Sequence, residues 1–301
     1  MTRTSEHLVE TVDPQPIAHL RRQVPRVLSI AGTDPTGGAG IQADLKSIAA
    51  NGGYGMAVVT ALVAQNTHGV RSVHVPPVSF LAEQLDAVSD DVEIDAVKIG
   101  MLATADVIAT VSEWLGRVDP PVVVLDPVMV ATSGDRLLDK AAERALRDLA
   151  SRTDLLTPNI PELAILAEEA VAADWAAVID QAARVSVRYG VRVLAKGGHL
   201  VGGDRPDALV DSGGGTVDVV EFPGVRIDTT NTHGTGCSLS SALATQYARS
   251  RDWPEAVDES KQWLTESIRC GAALEVGSGH GPISHFAGLW ERSASLARSP
   301  R

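Results

Sequence analysis

Short apolar runs alternate with longer stretches of helical period along most of this chain, and each apolar run ends in a loop rich in glycine or proline. The run at 26–31, RVLSIA, stops at Gly32 and predicts a buried strand. GTDPTGGAG follows as a loop, and 41–50 predicts a helix closed by Asn51-Gly52-Gly53. Residues 56–64 predict a strand, and 70–75 a weaker alternating one closed by Pro76-Pro77. Helices at 80–88 and 105–115 flank a strand at 96–99. A clear buried strand at 122–125 precedes a helix at 137–149, a short strand at 154–156, helices at 161–169 and 175–189, and a strand at 191–195. Residues 208–210 and 217–222 predict a hairpin around Gly213-Gly214-Gly215. The pattern is then helical to about residue 274, ahead of a GSGHGP turn and a last helix.

Strands alternating with helices predict an α/β fold on a mostly parallel sheet. In such sheets ligands bind outside the carboxyl ends of the strands. Residues 1–24 are polar, carry two prolines and show no sustained period, which predicts a mobile tail. No repeat or linker divides the rest, so 25–301 is expected to be a single domain.

Charge narrows the partners. The chain carries 26 basic and 38 acidic side chains, a net charge of −12, and so offers no field for nucleic acid or an anionic membrane. An anionic substrate would need a local site, such as a helix N-terminus. Two cysteines, Cys237 and Cys270, make no disulfide framework and point to a reducing compartment. The N-terminus lacks the apolar core of a signal peptide, and no apolar run approaches the roughly 20 residues of a membrane span. A soluble, cytoplasmic protein is expected.

Several loops carry candidate chemistry. In DTTNTHGTGCSLSSALA, residues 228–244, a polar run ends in His233-Gly234-Thr235-Gly236-Cys237 and a helix follows at once. Gly234 and Gly236 permit a tight turn and close approach to a ligand. The helix start behind them supplies free N–H groups and a positive dipole end, an anion site. Cys237 lies in that first turn, where a thiol pKa tends to fall. The plainer alternative is a glycine-rich helix entry holding a small buried cysteine. In the loop after the first strand, Gly38 stands where a Walker A loop needs lysine. Gly38-x-Gly40-x-x-Ala43 matches the loose dinucleotide fingerprint, yet Gln65-Asn66 occupies the place of its acidic residue. The competing reading is a small-molecule pocket. Asp44 would present a carboxylate there, and Gln65 a carboxamide that donates and accepts and so suits an aminopyrimidine edge. Otherwise Asp44 is a solvated charge and Gln65 a loop cap.

Asp126 ends the VVVLD strand, and Asn159-x-x-Glu162 follows DLLTPN. Hard oxygen ligands at strand ends suit Mg²⁺ shared with substrate phosphates. A capping box, with Asn159 as cap, explains the second pair equally well. Lys196, before Gly197-Gly198-His199, is either a phosphate ligand or a solvated turn lysine. Met101, in KIGM, is core or the lining of an aromatic-ligand pocket. His68 and His74 lack metal-ligand spacing and read as loop residues.

These motifs occur together and in order: AGTDPTGGAGIQADLKSIAANGGYG, TALVAQNTHGV, KIGML, VVLDPVMVATSGDRLL, LLTPNIPE, KGGH and NTHGTGCSLSSALA. Over about 26–286 the chain resembles the hydroxymethylpyrimidine/phosphomethylpyrimidine kinases of thiamine biosynthesis. The resemblance implies a ribokinase-like fold, a mostly parallel central sheet with helices on both faces. It implies two successive ATP-dependent phosphorylations of 4-amino-5-hydroxymethyl-2-methylpyrimidine, to the monophosphate and then the diphosphate; a homodimer is expected besides. By that likeness Asp44 and Gln65 bind the pyrimidine, and Gly32, Met101 and Val128 line its pocket. Gly234, Thr235 and Gly236 form an anion hole, and Cys237 stands where sugar kinases of the superfamily carry an aspartate base. Asp126 and Glu162 organise Mg²⁺, while Lys196, with Asn159 and Thr235, meets the ATP phosphates. A thiol near its pKa can accept the proton of a primary alcohol.

Three other readings compete. A pyridoxal or pyridoxine kinase of the same superfamily would also take a small aza-aromatic alcohol. A thiol hydrolase would use Cys237 as nucleophile and His233 as base, against which stand the glycines between them. A non-catalytic pyrimidine-binding regulator would bind without phosphoryl transfer.

Overall fold

A computed structural model describes residues 24–130, 137–199 and 206–290. In chain order the strands are β1 (Arg26–Ala31), β2 (Tyr54–Val59), β3 (Leu62–Asn66), β4 (Gly69–His74) and β5 (Ala96–Ile99). They continue with β6 (Val123–Leu125), β7 (Leu155–Leu156), β8 (Arg192–Lys196), β9 (Asp207–Asp211) and β10 (Asp218–Phe222). The helices are α1 (Gly40–Ala50), α2 (Val78–Ser89), α3 (Ala105–Val118), α4 (Glu143–Ala150), α5 (Ile160–Ala167), α6 (Trp175–Tyr189), α7 (Thr235–Ser250) and α8 (Trp253–Arg269).

Eight strands form one sheet in the order β10-β9-β8-β7-β6-β5-β1-β2, parallel from β8 to β2 and antiparallel at β9 and β10. Alternation of side chains along each strand divides the core in two. Leu28, Ile30, Val97, Val123 and Leu156 pack with α2 to α6 on one face. Val27, Ala96, Val124, Leu155 and Leu194 pack with α7 and α8 on the other. The central strands β1, β5, β6 and β7 are buried almost throughout because both faces are covered. α7 approaches the sheet closely because its inward residues are small. Ser238 to Gln246 are all buried, and Ser240 and Thr245 return their hydroxyls to the carbonyls of Gly236 and Ser241.

The predicted strand at 56–64 divides in two. Thr60 still donates its N–H to Ala31, but its hydroxyl turns to the Met101 carbonyl at 2.6 Å. The chain then leaves the sheet to build β3 and β4, a separate antiparallel flap with a bulge between Ala64 and Gln65. Such a departure leaves the apolar pattern intact, so periodicity does not reveal it. The predicted helix at 137–149 opens instead as coil and a 3₁₀ turn, Lys140–Ala142, before α4. Its first residues are tied to the Met129 and Ala103 carbonyls, which holds them off the helical path. Residues 223–227, expected to be helical, join the polar run 228–234 in a loop leading into α7. The predicted last helix starts at residue 287 and mostly lies outside the described residues, as does nearly all of the predicted tail.

Candidate active site

A cleft of about 800 Å³ opens at the carboxyl ends of the parallel strands, beneath the flap. Its lining includes every predicted site residue except Asp44. Gly32 follows β1, Met101 follows β5, and Val128 lies in the loop after β6. A Cβ at Gly32 would stand 3.1 Å from the Met101 sulfur, so the absent side chain keeps that wall open. Gln65 reaches the cleft from the flap. Val225, Ile227, Leu264 and Ile268 add an apolar wall.

The polar centre is a knot of charges around Asp126, the first residue beyond β6. Lys196, ending β8, donates to Asp126 Oδ1 at 3.1 Å, and Thr157 donates to the same oxygen at 3.0 Å. Asn159 and Glu162 form a true capping box on α5: Asn159 Oδ1 accepts from the Glu162 N–H, and Glu162 Oε2 accepts from the Asn159 N–H, both at 2.9 Å. The cap and the cleft position coexist, since both residues also line the cavity. Burial pushes the Glu162 carboxyl up to about 7; Lys196 opposes that and Asp126 adds to it. Burial would lower the Lys196 ammonium, yet Asp126 and Glu162 raise it. Among the described residues no third acidic, histidine or cysteine side chain completes a metal cluster.

The glycine turn meets this knot. Gly234 caps α7 in the left-handed region at φ +78°, and a Cβ there would overlap the Gly38 carbonyl oxygen. A Cβ at Gly236 would lie 3.4 Å from both Asp126 Oδ2 and Lys196 Nζ, so the helix start faces the charged pair directly. Thr235 and Cys237 line the same cleft. The lowered thiol pKa expected at a helix start is not found. Burial pushes the Cys237 thiol up to about 11, Lys98 pulling it down and Asp44 pushing it further up. Desolvation of the thiolate outweighs the dipole.

Asp44 neither lines the cleft nor lies in solvent. It is fully buried, on the face of α1 turned to the sheet. There it accepts from Lys98 Nζ at 2.7 Å and Ser241 at 2.9 Å on one oxygen, and from Ser29 at 2.6 Å on the other. Lys98 is fully buried too; burial would lower its pKa, and Asp44 raises it well above the ordinary value. A buried ion pair thus stands where the likeness places a ligand contact. Lys98 was legible only as a lysine in an apolar strand.

Sequence reasoning also missed Asp34. The residue is fully buried and receives the Thr36 N–H and hydroxyl, the Gly38 and Ala39 N–H groups, and His233 Nε2 at 2.7 Å. Burial raises its carboxyl, but His233 and Thr36 outweigh that and hold it at about 2. With Nε2 committed to Asp34, His233 is not poised as the base of a cysteine hydrolase.

The sheet order, the flap and the glycine turn opening toward a lysine–carboxylate knot are those of a ribokinase-like α/β kinase. The fold is shared with the pyridoxal kinase of Bacillus subtilis in an ADP complex, at a TM-score of 0.78 and 32% identity over 88% of this chain and 99% of that one. Within that class the chain belongs to the phosphomethylpyrimidine kinase family, whose sequence profile matches residues 34–284. It is 57% identical over 263 residues to the thiamine biosynthesis multifunctional protein ThiED of Corynebacterium efficiens, covering 87% of this chain but only 35% of that longer protein. It is 48% identical over 264 residues to the hydroxymethylpyrimidine/phosphomethylpyrimidine kinase of Salmonella typhimurium, covering 87% of this chain and 98% of the relative.

Proposed function

We propose that this chain phosphorylates 4-amino-5-hydroxymethyl-2-methylpyrimidine with ATP, first on the hydroxymethyl oxygen and then on the phosphate so formed. The observation that carries the reading is the glycine turn set against Asp126 and Lys196, beside a pocket floored by Gly32 and covered by Gln65. Phosphoryl transfer needs positioning and charge neutralisation more than covalent chemistry. The Gly234 to Gly236 amides and Lys196 supply fixed positive potential where negative charge gathers. Gln65 offers a donor and an acceptor to the aminopyrimidine edge. Met101 and Val128 pack against the ring, and Asp44, paired with Lys98 beneath the cleft, braces its floor rather than touching the ligand. Asn159 and Thr235 stand beside Lys196 for the nucleotide phosphates.

Mg²⁺ fits the donor set: two carboxylates, Asp126 and Glu162, next to a lysine suit a hard cation that keeps water and phosphate oxygens as its other ligands. When bound it neutralises charge on the transferred group. Cys237, as the thiolate, accepts the proton of the primary alcohol as the new bond forms. The relatives' names and the ADP complex of the Bacillus subtilis kinase support the choice of substrates. We extend the reading to a cytoplasmic homodimer, for whose contact the β2 edge and flap expose Tyr54 and Leu62.

The test is coupled ADP release by purified protein with the alcohol, its monophosphate and pyridoxal. Turnover of both pyrimidines, with pyridoxal at least about tenfold poorer in kcat/KM (about 1.4 kcal/mol), is expected. Preferential turnover of pyridoxal would replace this reading with the pyridoxal kinase one.

A further inference from the structure

We propose that Asp34 and His233 are a positioning pair that clamps the loop flooring the acceptor pocket to the glycine turn that receives the phosphoryl group. The proposal rests on the kinase reading above. The two residues stand 199 positions apart, yet His233 Nε2 lies 2.7 Å from Asp34 Oδ2. Each partner belongs to one of the loops that must meet. Asp34 gathers the N–H groups of Thr36, Gly38 and Ala39, so its carboxylate sets the shape of the loop between β1 and α1. Thr33 and Ala39 of that loop, and Gly40 at the start of α1, line the cleft. His233 immediately precedes Gly234, and its own N–H is held from behind by the Gly281 carbonyl at 3.1 Å.

The loops touch so closely that side chains are excluded at the seam. A Cβ on Gly38 would stand 2.5 Å from His233 Cδ2, and one on Gly234 would run into the Gly38 carbonyl. The Asp34 carboxyl, held at about 2, stays a carboxylate at neutral pH, so Nε2 carries the proton and donates it. Loss of the imidazole leaves Asp34 its backbone donors and the first loop its shape. What is lost is the tie that fixes the turn relative to the acceptor. A displacement of about 1 Å between reacting groups can cost about 10²-fold in rate with little effect on binding.

The experiment compares His233→Ala, His233→Gln and Gly234→Ala with the parent protein, measuring kcat, both KM values and the melting temperature. The Gln side chain can place an amide N–H near the Nε2 position. The expected result is a fall in kcat of about 10- to 100-fold in His233→Ala, with each KM within about threefold and an unchanged melt, and recovery to within about fivefold in His233→Gln. Failure of Gln to restore turnover overturns the clamp, because the imidazole would then act in some other way. Normal kcat in His233→Ala beside a crippled Gly234→Ala overturns the clamp and leaves the anion-hole reading standing. Normal kcat in both variants removes the anion-hole reading and the clamp with it. Should His233→Ala fold poorly, His233→Gln alone decides: near-parent kcat supports the tie, and a loss beyond about tenfold refutes it.

Discussion

If the Cys237 thiolate accepts the alcohol proton, turnover should climb steeply with pH. Burial holds this thiol at about 11, well above its ordinary value. At pH 7 about 10⁻⁴ of the molecules carry the thiolate, against about 10⁻² for an unperturbed thiol. The sign follows from the direction of the shift. A base with a raised pKa is mostly protonated at neutral pH, so each unit of pH toward 11 increases its active form about tenfold. Between pH 7 and 9.5 the chemical step should therefore accelerate by roughly 300-fold, provided ADP release is not limiting. Cys237→Ser should cut turnover by about 10²–10⁴-fold at every pH in that range while both ligands still bind. Cys237→Asp should restore part of it and flatten the profile, because a carboxylate is already ionised. The assay is single-turnover phosphorylation of the pyrimidine alcohol from pH 6.5 to 9.5, with iodoacetamide labelling of Cys237 followed over the same range as a direct reading of the thiol. A flat pH profile combined with full activity in Cys237→Ser would refute the base role and leave Cys237 a small residue packed at a helix entry.

Other outcomes follow from the same geometry. Gln65→Ala should raise the KM for the pyrimidine far more than that for ATP, by about 1–3 kcal/mol of lost hydrogen bonding; equal increases would sink the assignment. Lys98→Met should destabilise the fold by about 3–5 kcal/mol by stranding the buried Asp44 carboxylate, and Lys98→Met/Asp44→Asn should recover much of that loss; additive losses in a denaturant titration would contradict a coupled pair. Glu162→Gln keeps the capping geometry and Asp126→Asn keeps the volume, so both should raise the Mg²⁺ needed for half-maximal rate with melts within about 1 kcal/mol of the parent. A lowered melt with normal Mg²⁺ dependence would reduce Glu162 to a cap. His285, buried beside Ser238, is depressed by burial from 6.5 to about 4. Its contribution is complete above pH 6.5 and is lost as pH falls toward 4, because the unfolded chain takes the proton first; the loss is about 3 kcal/mol at most, and His285→Phe should flatten that part of the stability curve.

Much of the scaffold was legible from the sequence alone, because local pattern reports what the local backbone must do. β1, β5 and α6 begin and end where the apolar periods do. The glycine turn, the KIGM loop and the Asn159 box fall at strand and helix ends, where the fold collects them into one cleft. Tertiary structure alone decided which charges meet. Asp44 shows helical spacing that suits either solvent or a ligand, and only the crossover from β1 through α1, with β5 laid beside β1, sets Lys98, 54 residues on, against it. Asp34 and His233 come together across 199 residues because α7 packs over β1 beside α1. The Cys237 thiol moves opposite to the expectation from its helix position for the same reason. A dipole is a property of the local helix, whereas desolvation depends on everything that the rest of the chain folds around it.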